Sequence, residues 1–291
     1  NFRKRKIYQS NLRLFMIKSI KYLIEAFFVY SSFLIAKLIG LRLSRKVFSF
    51  IFNIIGPIIR SNNIADKNLL KFSNNISKQE KKEIKSSMWS NYGMTFIEYT
   101  FLNNFKKKDS HIEIEGEDIL NRISSNKKPV IFISGHFANF ELMSMEITRK
   151  KINLATIYRP LNNFFLNPFM EFVRKKYVCK NQIKKGRSGV KESIEYIKNQ
   201  YSVALMVDQR VSEGEKIKFF NEDAFTTTLP GQLALRYNLD LVPVFIERKN
   251  NGLFKMKVYE PIKSSNFKNK FEISVKLNQL IENMILKNPK Q

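Results

Sequence analysis

A histidine that is followed five residues later by a carboxylate suggests acid–base chemistry. His136 and Glu141 lie in the stretch 129–141, which begins with the β-branched and aromatic run of a buried strand. Gly135 breaks this run, and residues 138–150 then have the pattern of a helix. Two side chains five residues apart on an ideal helix point about 140° away from each other. They can meet only if His136 lies in the turn before the regular helix, and the preceding glycine favours that geometry.

Such a pair would supply a general base and the carboxylate that orients it. The N-terminus of a helix disfavours a protonated imidazole, which would leave His136 neutral and able to accept a proton. Glu141 would orient the ring and stabilise the imidazolium. Because 25 of the 291 residues are acidic, this spacing also arises by chance, and a purely structural turn histidine is the alternative.

The composition indicates a folded chain with anionic partners. With 291 residues, of which 44% are hydrophobic, the chain can bury a sizeable core. The net charge of +26 favours nucleic acid, an anionic membrane surface or a phosphorylated substrate as partner, and simple compositional drift is the alternative. The single cysteine, Cys179, excludes an internal disulfide and fits a reducing compartment. Two histidines and one cysteine argue against a His/Cys zinc site.

The chain divides into a basic, apolar N-terminal region (1–60) and a larger remainder (61–291). Residues 22–41 are twenty mostly apolar residues, long enough for a helix that spans or is embedded in a bilayer. Residues 47–59 are too short to span, are broken by a Gly-Pro pair, and are expected to lie at the interface. The uniformly basic flanks favour a membrane anchor, with a soluble helical hairpin as the alternative. No small-residue cleavage site follows, which argues against a cleaved signal peptide.

The remainder alternates between strand and helix patterns, which predicts an α/β fold with a mostly parallel sheet flanked by helices. Ligands of such folds bind beyond the carboxyl ends of the strands. His136, Arg159 and Asp208 each follow a predicted strand, and we therefore expect them to share one site. The basic turn at 184–189 (KKGRSG) could bind a phosphate through its backbone amides and side chains, or it could be a solvated loop.

Several short motifs, in the same order along the chain, resemble those of the bacterial lipid A biosynthesis acyltransferases, the lauroyl and myristoyl transferases. Residues 135–141 (GHFANFE) resemble the GHFGNWE-type box of this family. The further matches are the YRP segment at 157–160 with Asn162, the DQ signature at 207–209, the segment from 218–220 (KFF) to 226–231 (TTTLPG), and the VPVF strand at 242–245. The apolar N-terminus also fits the membrane anchor of the family.

The sequence departs from the family pattern at a few positions. Ala138 replaces a glycine and Phe140 a tryptophan, and both substitutions are compatible with the local shape. Asn221 stands where the family has glycine, so this turn must use the tolerance of asparagine for positive φ. The functional arginine that follows the YRP segment matches Arg174 best, with Lys175 as its neighbour in an uncertain register.

The resemblance implies an O-acyltransferase that uses acyl carrier protein as donor and needs no metal or other cofactor. The acceptor would be a hydroxyl of a hydroxyacyl chain on a Kdo-bearing lipid A precursor. His136 would remove the hydroxyl proton, with Glu141 orienting its ring. Asn139, Arg174 and backbone amides would stabilise the oxyanion.

The remaining implied roles concern positioning and charge. Asp208 would hold an arginine or the loop in place. Arg159, Arg210 and Lys218 would bind the substrate phosphates or the acidic carrier protein, which gives the high positive charge a purpose. The implied location is the inner membrane, with the catalytic domain on the cytoplasmic side and in contact with anionic lipid.

Two other functions are alternatives to this one. A glycerophospholipid or lysophospholipid acyltransferase uses a similar histidine box, usually with aspartate, and Glu141 together with the YRP and DQ motifs argues against it. A basic nucleic-acid-binding protein would need exposed aromatic residues among clustered cations. Here the aromatic residues lie in apolar runs, so no specific nucleic acid is expected as a partner.

Overall fold

The computed structural model describes residues 2–59, 62–73, 76–108 and 110–291. Side-chain positions before residue 13 lie outside this description, and with them the basic residues at positions 3–6. The helices are α1 (Phe2–Ile59), α2 (Asn62–Phe72), α3 (Lys78–Glu98), α4 (Leu102–Lys107), α5 (Glu117–Asn126), α6 (Glu141–Arg149), α7 (Asn167–Val173), α8 (Arg187–Lys198), α9 (Leu229–Tyr237) and α10 (Lys270–Lys287). The strands are β1 (Ile112–Glu115), β2 (Ile131–Ser134), β3 (Leu154–Tyr158), β4 (Asn181–Lys184), β5 (Ser202–Met206), β6 (Glu215–Phe219), β7 (Glu222–Thr226), β8 (Leu241–Arg248) and β9 (Phe254–Val258).

In these described ranges, the main sheet has the strand order β1-β9-β8-β2-β5-β3-β4. Strands β8, β2, β5, β3 and β4 are parallel to one another, whereas β9 is antiparallel to β8 and parallel to β1. The predicted mostly parallel sheet flanked by helices is confirmed. A separate antiparallel hairpin, formed by β6 and β7, was not predicted from the sequence.

The central strand β2 separates two hydrophobic cores. Phe132 packs into the core that contains α5 and α6, whereas Ile131 and Ile133 pack into the core that contains α9 and α10. This alternation follows from the two-residue period of a strand. Full burial of such a side chain contributes about 1.5–3 kcal/mol, so β2 is anchored firmly from both faces.

Helix α1 consists of two helical segments that meet at Gly40. The φ of 77° and ψ of 165° at Gly40 end the first segment, and glycine adopts such angles without strain. The predicted break at residues 56–57 is wrong, because the helix continues to Ile59. Gly56 instead lets the ring of Trp89 pack against α1, since a Cβ atom there would lie 2.2 Å from that ring. By length and composition, residues 13–58 are long and apolar enough to cross a membrane, while the division of the chain at residue 60 stays a prediction.

The strand order brings the predicted site residues to one edge of the sheet. His136 follows β2, Asp208 follows β5, and Arg159 follows β3. These three strands are neighbours in the order β2-β5-β3 and run parallel. Their carboxyl ends therefore meet at the same edge, where ligands of such sheets bind.

Candidate active site

His136 is held by Asp208. The Nδ1 atom of His136 lies 2.8 Å from Oδ1 of Asp208, and the backbone N–H of His136 donates to Oδ2 of the same carboxylate at 2.8 Å. An ionised carboxylate only accepts hydrogen bonds, so Nδ1 carries the proton and Nε2 is left as an acceptor. This is the arrangement of a general base with its orienting carboxylate.

The expected contact between His136 and Glu141 is not formed. The stretch from His136 to Phe140 is irregular, and Glu141 is the first residue of α6. Its carboxylate accepts hydrogen bonds from Arg174 and Tyr99 instead. The expectation that Asp208 holds the loop agrees with its bond to the backbone of His136, but Asp208 also takes the role assigned to Glu141.

Glycine at position 135 allows this close approach. A Cβ atom there would lie 2.7 Å from the ring of Phe137 and 3.3 Å from Cβ of Asp208. The first distance is shorter than real contacts allow, so any larger residue would have to displace the ring of Phe137 or shift the turn. Ala138, three residues further on, has a φ of 44°. This left-handed conformation costs an L-residue about 1–2 kcal/mol. The family glycine at this position would avoid that strain.

Arg174, Glu141 and Tyr99 form a hydrogen-bonded triangle. Nε of Arg174 donates to Oε1 of Glu141 at 2.7 Å, the Tyr99 hydroxyl donates to the same oxygen at 2.6 Å, and Nη2 of Arg174 donates to the Tyr99 oxygen at 3.1 Å. The guanidinium also lies over the ring of Tyr158 at 5.6 Å. We call Arg174, Glu141 and Tyr99 the cavity-facing cluster, because Arg174 and Glu141 line the same cavity as His136.

The cavity-facing cluster keeps Arg174 charged. Burial opposes the charge, but the Glu141 carboxylate and Tyr99 outweigh it and raise the pKa of Arg174 above its ordinary value. Burial, followed by the neighbouring Glu141 carboxylate, raises the pKa of Tyr99 well above its ordinary value, so the phenol stays a donor. The remaining nitrogen, Nη1 of Arg174, makes no hydrogen bond to the residues that the structure describes. It is therefore available to a ligand.

The two candidates for the functional arginine position, Arg174 and Lys175, differ in where their side chains lie. Arg174 is the first residue of a π-helical turn, Arg174–Val178, that follows α7, and the backbone N–H of Cys179 donates to the carbonyl of Arg174 at 3.0 Å. The side chain of Arg174 is 12% exposed and lines the cavity, whereas Lys175 is exposed to solvent. Single π-helical turns occur frequently at functional sites.

The cavity beside His136, called here the histidine cavity, has a mixed lining. Its polar lining includes Ser144, Thr156 and Gln182. Apolar walls come from Phe140, Ile157, Leu205, Met206, Val211 and Leu229. Arg159 lies at its edge and is exposed to solvent. A site with a base, a charged donor and apolar walls can carry out acyl transfer between apolar substrates.

A second cavity, called here the basic cavity, adjoins the first and has a volume of about 560 Å³. It is lined by four exposed cations, which are Arg159, Lys185, Arg187 and Arg210. None of the four forms an ion pair with a carboxylate in the described part of the chain. Two of these cations, Lys185 and Arg187, belong to the basic turn at 184–189 and lie at the start of α8.

Two of the expected site residues point elsewhere. Nδ2 of Asn139 donates to Oε2 of Glu98 at 2.8 Å, and Asn139 is buried and does not line the histidine cavity, so its amide is not available to an oxyanion there. Lys218 pairs with Asp223 across the β6–β7 hairpin at 2.8 Å and lines neither the histidine cavity nor the basic cavity. At the tip of this hairpin, Asn221 has a φ of 62°, as expected.

Comparison with known families identifies the family of the chain. The model of the family described as bacterial lipid A biosynthesis acyltransferase matches residues 16–291. The chain belongs to this family. As an acyltransferase of lipid A biosynthesis, it acts on a glycolipid. No curated protein sequence matches the chain.

Among solved structures, the acyltransferase resembles the 1-acyl-sn-glycerophosphate (LPA) acyltransferase PlsC from Thermotoga maritima. The sequences are 14% identical, the match covers 85% of this chain and 98% of that chain, and the TM-score is 0.39.

A buried charge cluster behind the histidine turn of the acyltransferase was missed in the sequence analysis. Oε1 of Glu98 accepts from Nε of Arg45 at 2.6 Å and from Arg248, while Oε2 accepts from Asn139 and from Nη2 of Arg248 at 3.1 Å. We call these four residues, Glu98, Arg45, Arg248 and Asn139, the buried cluster. Burial disfavours the Glu98 carboxylate, but Arg248 and Arg45 outweigh this and hold the pKa of Glu98 below its ordinary value.

The buried cluster joins four elements. Arg45 belongs to the second segment of α1, Glu98 ends α3, Arg248 ends β8, and Asn139 lies three residues after His136. The sequence did not identify its three charged members, because charged residues in helix and strand patterns usually lie on the surface. Only Asn139, through the family box, had been singled out.

Proposed function

We propose that this acyltransferase transfers a fatty acyl group from the thioester of an acyl carrier protein to a hydroxyl of a hydroxyacyl chain on a Kdo-bearing lipid A precursor. The observation that carries the proposal is the pair of His136 and Asp208 in a cavity that also contains a charged arginine. A histidine with its Nε2 atom unprotonated can activate a hydroxyl, which is the acceptor group in this reaction.

In the proposed reaction, Nε2 of His136 accepts the proton of the acceptor hydroxyl as the hydroxyl oxygen attacks the thioester carbonyl carbon. A new C–O bond forms, and the carbonyl oxygen becomes an oxyanion. The intermediate then collapses, the C–S bond breaks, and the imidazolium returns the proton to the leaving thiolate. The products are an ester and the free thiol of the carrier protein.

Each neighbouring residue has a distinct role in this proposal. Asp208 keeps the proton on Nδ1 and stabilises the imidazolium that forms during the reaction. Nη1 of Arg174 donates to the developing oxyanion, which a charged donor stabilises strongly in a site from which water is excluded. Glu141 and Tyr99 are positioning residues, since both hold the guanidinium of Arg174. No cofactor other than the acyl donor is required.

The basic cavity supports a phosphorylated acceptor. Arg159 lines both cavities, so a molecule whose phosphate binds in the basic cavity could extend to His136. Arginine binds phosphate in a bidentate geometry, and the start of α8 adds backbone N–H groups. The acidic carrier protein would approach the same positively charged edge of the sheet. We further propose that the reaction takes place on the cytoplasmic side of the inner membrane.

The test is acyl transfer by detergent-purified wild type, H136A and D208N, with acyl carrier proteins of several chain lengths and either a Kdo-bearing lipid A precursor or a lysophospholipid as acceptor. We expect wild type to add one acyl chain, and we expect both variants to lose roughly 10²–10⁴-fold in rate. The variant D223N, which changes an exposed aspartate on the β6–β7 hairpin, serves as the matched control and should keep the wild-type rate.

Two results would contradict the proposal. If wild type acylates a lysophospholipid and ignores the lipid A precursor, the acceptor is wrong and the glycerophospholipid alternative holds. If H136A is as active as wild type, then His136 is not the base. In either case, the preferred chain length of the donor is read from the same assay.

A further inference from the structure

The first segment of α1, residues 13–39, has one face that packs against the catalytic domain. We call this stretch the anchor segment. Tyr22, Ala26, Val29, Phe33 and Ala36 follow one another at spacings of three or four residues, and so lie on one side of the helix. Ala26, Phe33 and Ala36 are buried, and Phe33 contacts the rings of Phe96 and Phe169. The anchor segment is therefore fastened along its length to the rest of the protein.

The opposite face of the anchor segment is exposed and apolar. At about 100° per residue, its exposed Met, Ile, Leu and Phe side chains from Met16 onward cover an arc of about 140° centred opposite the packed face, whereas Leu14 and Phe15 lie outside this arc. These side chains are Met16, Ile17, Ile20, Leu23, Ile24, Phe27, Phe28, Leu34, Ile35 and Leu38. Exposed lysines at positions 21 and 37 lie at the margins of this arc, whereas Lys18 lies on the side of the packed face. This is the pattern of an interfacial helix, which contacts protein on one side and lipid on the other and carries cations between the two.

A loop beside the histidine cavity extends this apolar surface. Residues 161–172, called here the aromatic loop, comprise an irregular stretch up to residue 166 and most of α7, and they expose Leu161, Phe164, Phe165 and Phe172, with Phe172 at 55%. The ring of Phe164 lies 5.7 Å from the ring of Tyr22 in the anchor segment. Nζ of Lys176 lies over the ring of Phe172 at 5.1 Å, so a cation borders this end as well. Aromatic residues with bordering lysines are typical of the boundary between lipid and water.

Polar contacts fix the aromatic loop to the anchor segment. Nδ2 of Asn163 donates to the carbonyl of Tyr22 at 2.9 Å and to Oε2 of Glu25 at 3.2 Å. The hydroxyl of Tyr30 donates to the carbonyl of Phe165 at 2.8 Å. These contacts lie at the middle of the anchor segment. If the segment crossed a bilayer, an irregular loop with a carboxylate partner would be carried into the hydrocarbon, where exposed irregular backbone is not tolerated.

We propose that the anchor segment does not cross the membrane but lies flat in the interface of an anionic bilayer, and that the aromatic loop enters the same leaflet beside it. The catalytic domain covers one face of the helix, and lipid covers the other. The aromatic loop begins after Arg159 and ends before Arg174, which both line the histidine cavity. The mouth of this cavity therefore lies at the level of the lipid head groups, whatever acceptor the enzyme uses.

The depth of two reporter residues distinguishes a flat helix from a crossing one. Trp89 is the only tryptophan, so in a W89F background a single new tryptophan reports its own surroundings. Phe27 lies near the middle of the anchor segment, where a crossing helix would place it at the bilayer centre, and F164W reports on the aromatic loop. F271W is the matched control, because Phe271 is 44% exposed, close to the 46% of Phe164, but lies on α10 on the opposite side of the sheet.

The measurement is tryptophan quenching in vesicles of phosphatidylethanolamine and phosphatidylglycerol whose acyl chains carry bromine either near the head group or near the methyl end. An interfacial helix is buried about 5–10 Å into the boundary, so F27W and F164W should each lose about half of their emission to shallow bromine and much less to deep bromine. F271W should lose none to either. If W89F does not fold, the same positions are labelled through introduced cysteines, since Cys179 is buried.

Stronger quenching of F27W by deep bromine would show a crossing helix and overturn the proposal. Absence of quenching for F164W would exclude the aromatic loop from the bilayer and would leave a protein surface as its partner. Neither readout depends on catalysis, so the result stands even if the proposed acceptor is wrong.

Discussion

Two clusters of arginine and carboxylate flank the turn that carries His136, and they differ in what they face. In the cavity-facing cluster, Arg174 directs two nitrogens to Glu141 and Tyr99 and keeps Nη1 for a ligand. In the buried cluster, Glu98 is fully buried and accepts from three side chains on three different elements. The same pairing chemistry thus leaves a donor free for the proposed reaction in one place and joins elements of the fold in the other. Contact with a cavity, rather than charge or burial alone, separates the two roles.

The largest expected effect on stability comes from removing the carboxylate of the buried cluster. We expect E98A to lower the free energy of unfolding by about 3–5 kcal/mol, because Arg45 and Arg248 would be left as buried charges without their partner. Denaturant unfolding measures this loss. E83A on the exposed face of the same helix is the control and should change stability by about 0.5 kcal/mol or less. If E98A is as stable as E83A, the buried cluster does not hold the elements together.

The cavity-facing cluster should respond in activity instead. We expect R174K to lower the rate of acyl transfer by roughly 10–100-fold, because lysine cannot hold Glu141 and Tyr99 and also present a third donor in a fixed plane. Its loss of unfolding free energy should be smaller than that of E98A. K175A, which changes the exposed neighbour, should keep the wild-type rate. A wild-type rate for R174K would remove Arg174 from the reaction.

Acid should weaken the buried cluster in a predictable direction. The pKa of Glu98 is lowered in the folded protein, so its contribution to stability is present above its ordinary pKa of 4.5 and is lost as the pH falls through the folded value. The difference in unfolding free energy between wild type and E98Q should therefore be largest near neutral pH and shrink below about pH 4.5. A difference that stays constant down to pH 3 would contradict this assignment.

The smallest expected effect concerns the turn between the two clusters. Ala138 has a positive φ, and its replacement by glycine removes about 1–2 kcal/mol of strain while adding about 0.4–1 kcal/mol of chain entropy to the unfolded state. A138G should therefore raise the free energy of unfolding by about 0.5–1 kcal/mol. Thermal unfolding measures this gain. A loss of stability would mean that the methyl group of Ala138 contributes more through packing than its backbone costs.

The parts that the sequence predicts well are those that depend on local pattern. The alternation of strands and helices identified the parallel sheet, and the glycine before His136 placed this residue in the turn after β2. The partner of His136 was assigned to Glu141, because spacing along the chain shows only near neighbours. Asp208 could be recognised as the partner only from the order of strands, since β5 lies beside β2 although 72 residues separate the two side chains. Periodicity carries no information about that order.

Other residues were missed or misassigned for reasons of packing. Arg45 looked like one more basic residue flanking an apolar helix, and Asn139 looked like a ligand-binding residue in a family box. Both point into the buried cluster, because the end of α3 brings a carboxylate between them. The β6–β7 hairpin has Phe220 and Asn221 at its tip, both with positive φ. Its turn therefore lacks the glycine that usually marks a hairpin in a sequence.

The pairing of β2 with β5 also determines when the enzyme can become active during its synthesis. His136 leaves the ribosome 72 residues before Asp208, and until then its imidazole has no carboxylate to fix its tautomer. Contacts of such long sequence separation form late, because the intervening chain must first be closed into a loop. A nascent chain that ends before β5 can therefore already expose its apolar N-terminal surface to lipid while it remains catalytically silent. Under the proposed mechanism and the proposed membrane contact, attachment would therefore precede activity.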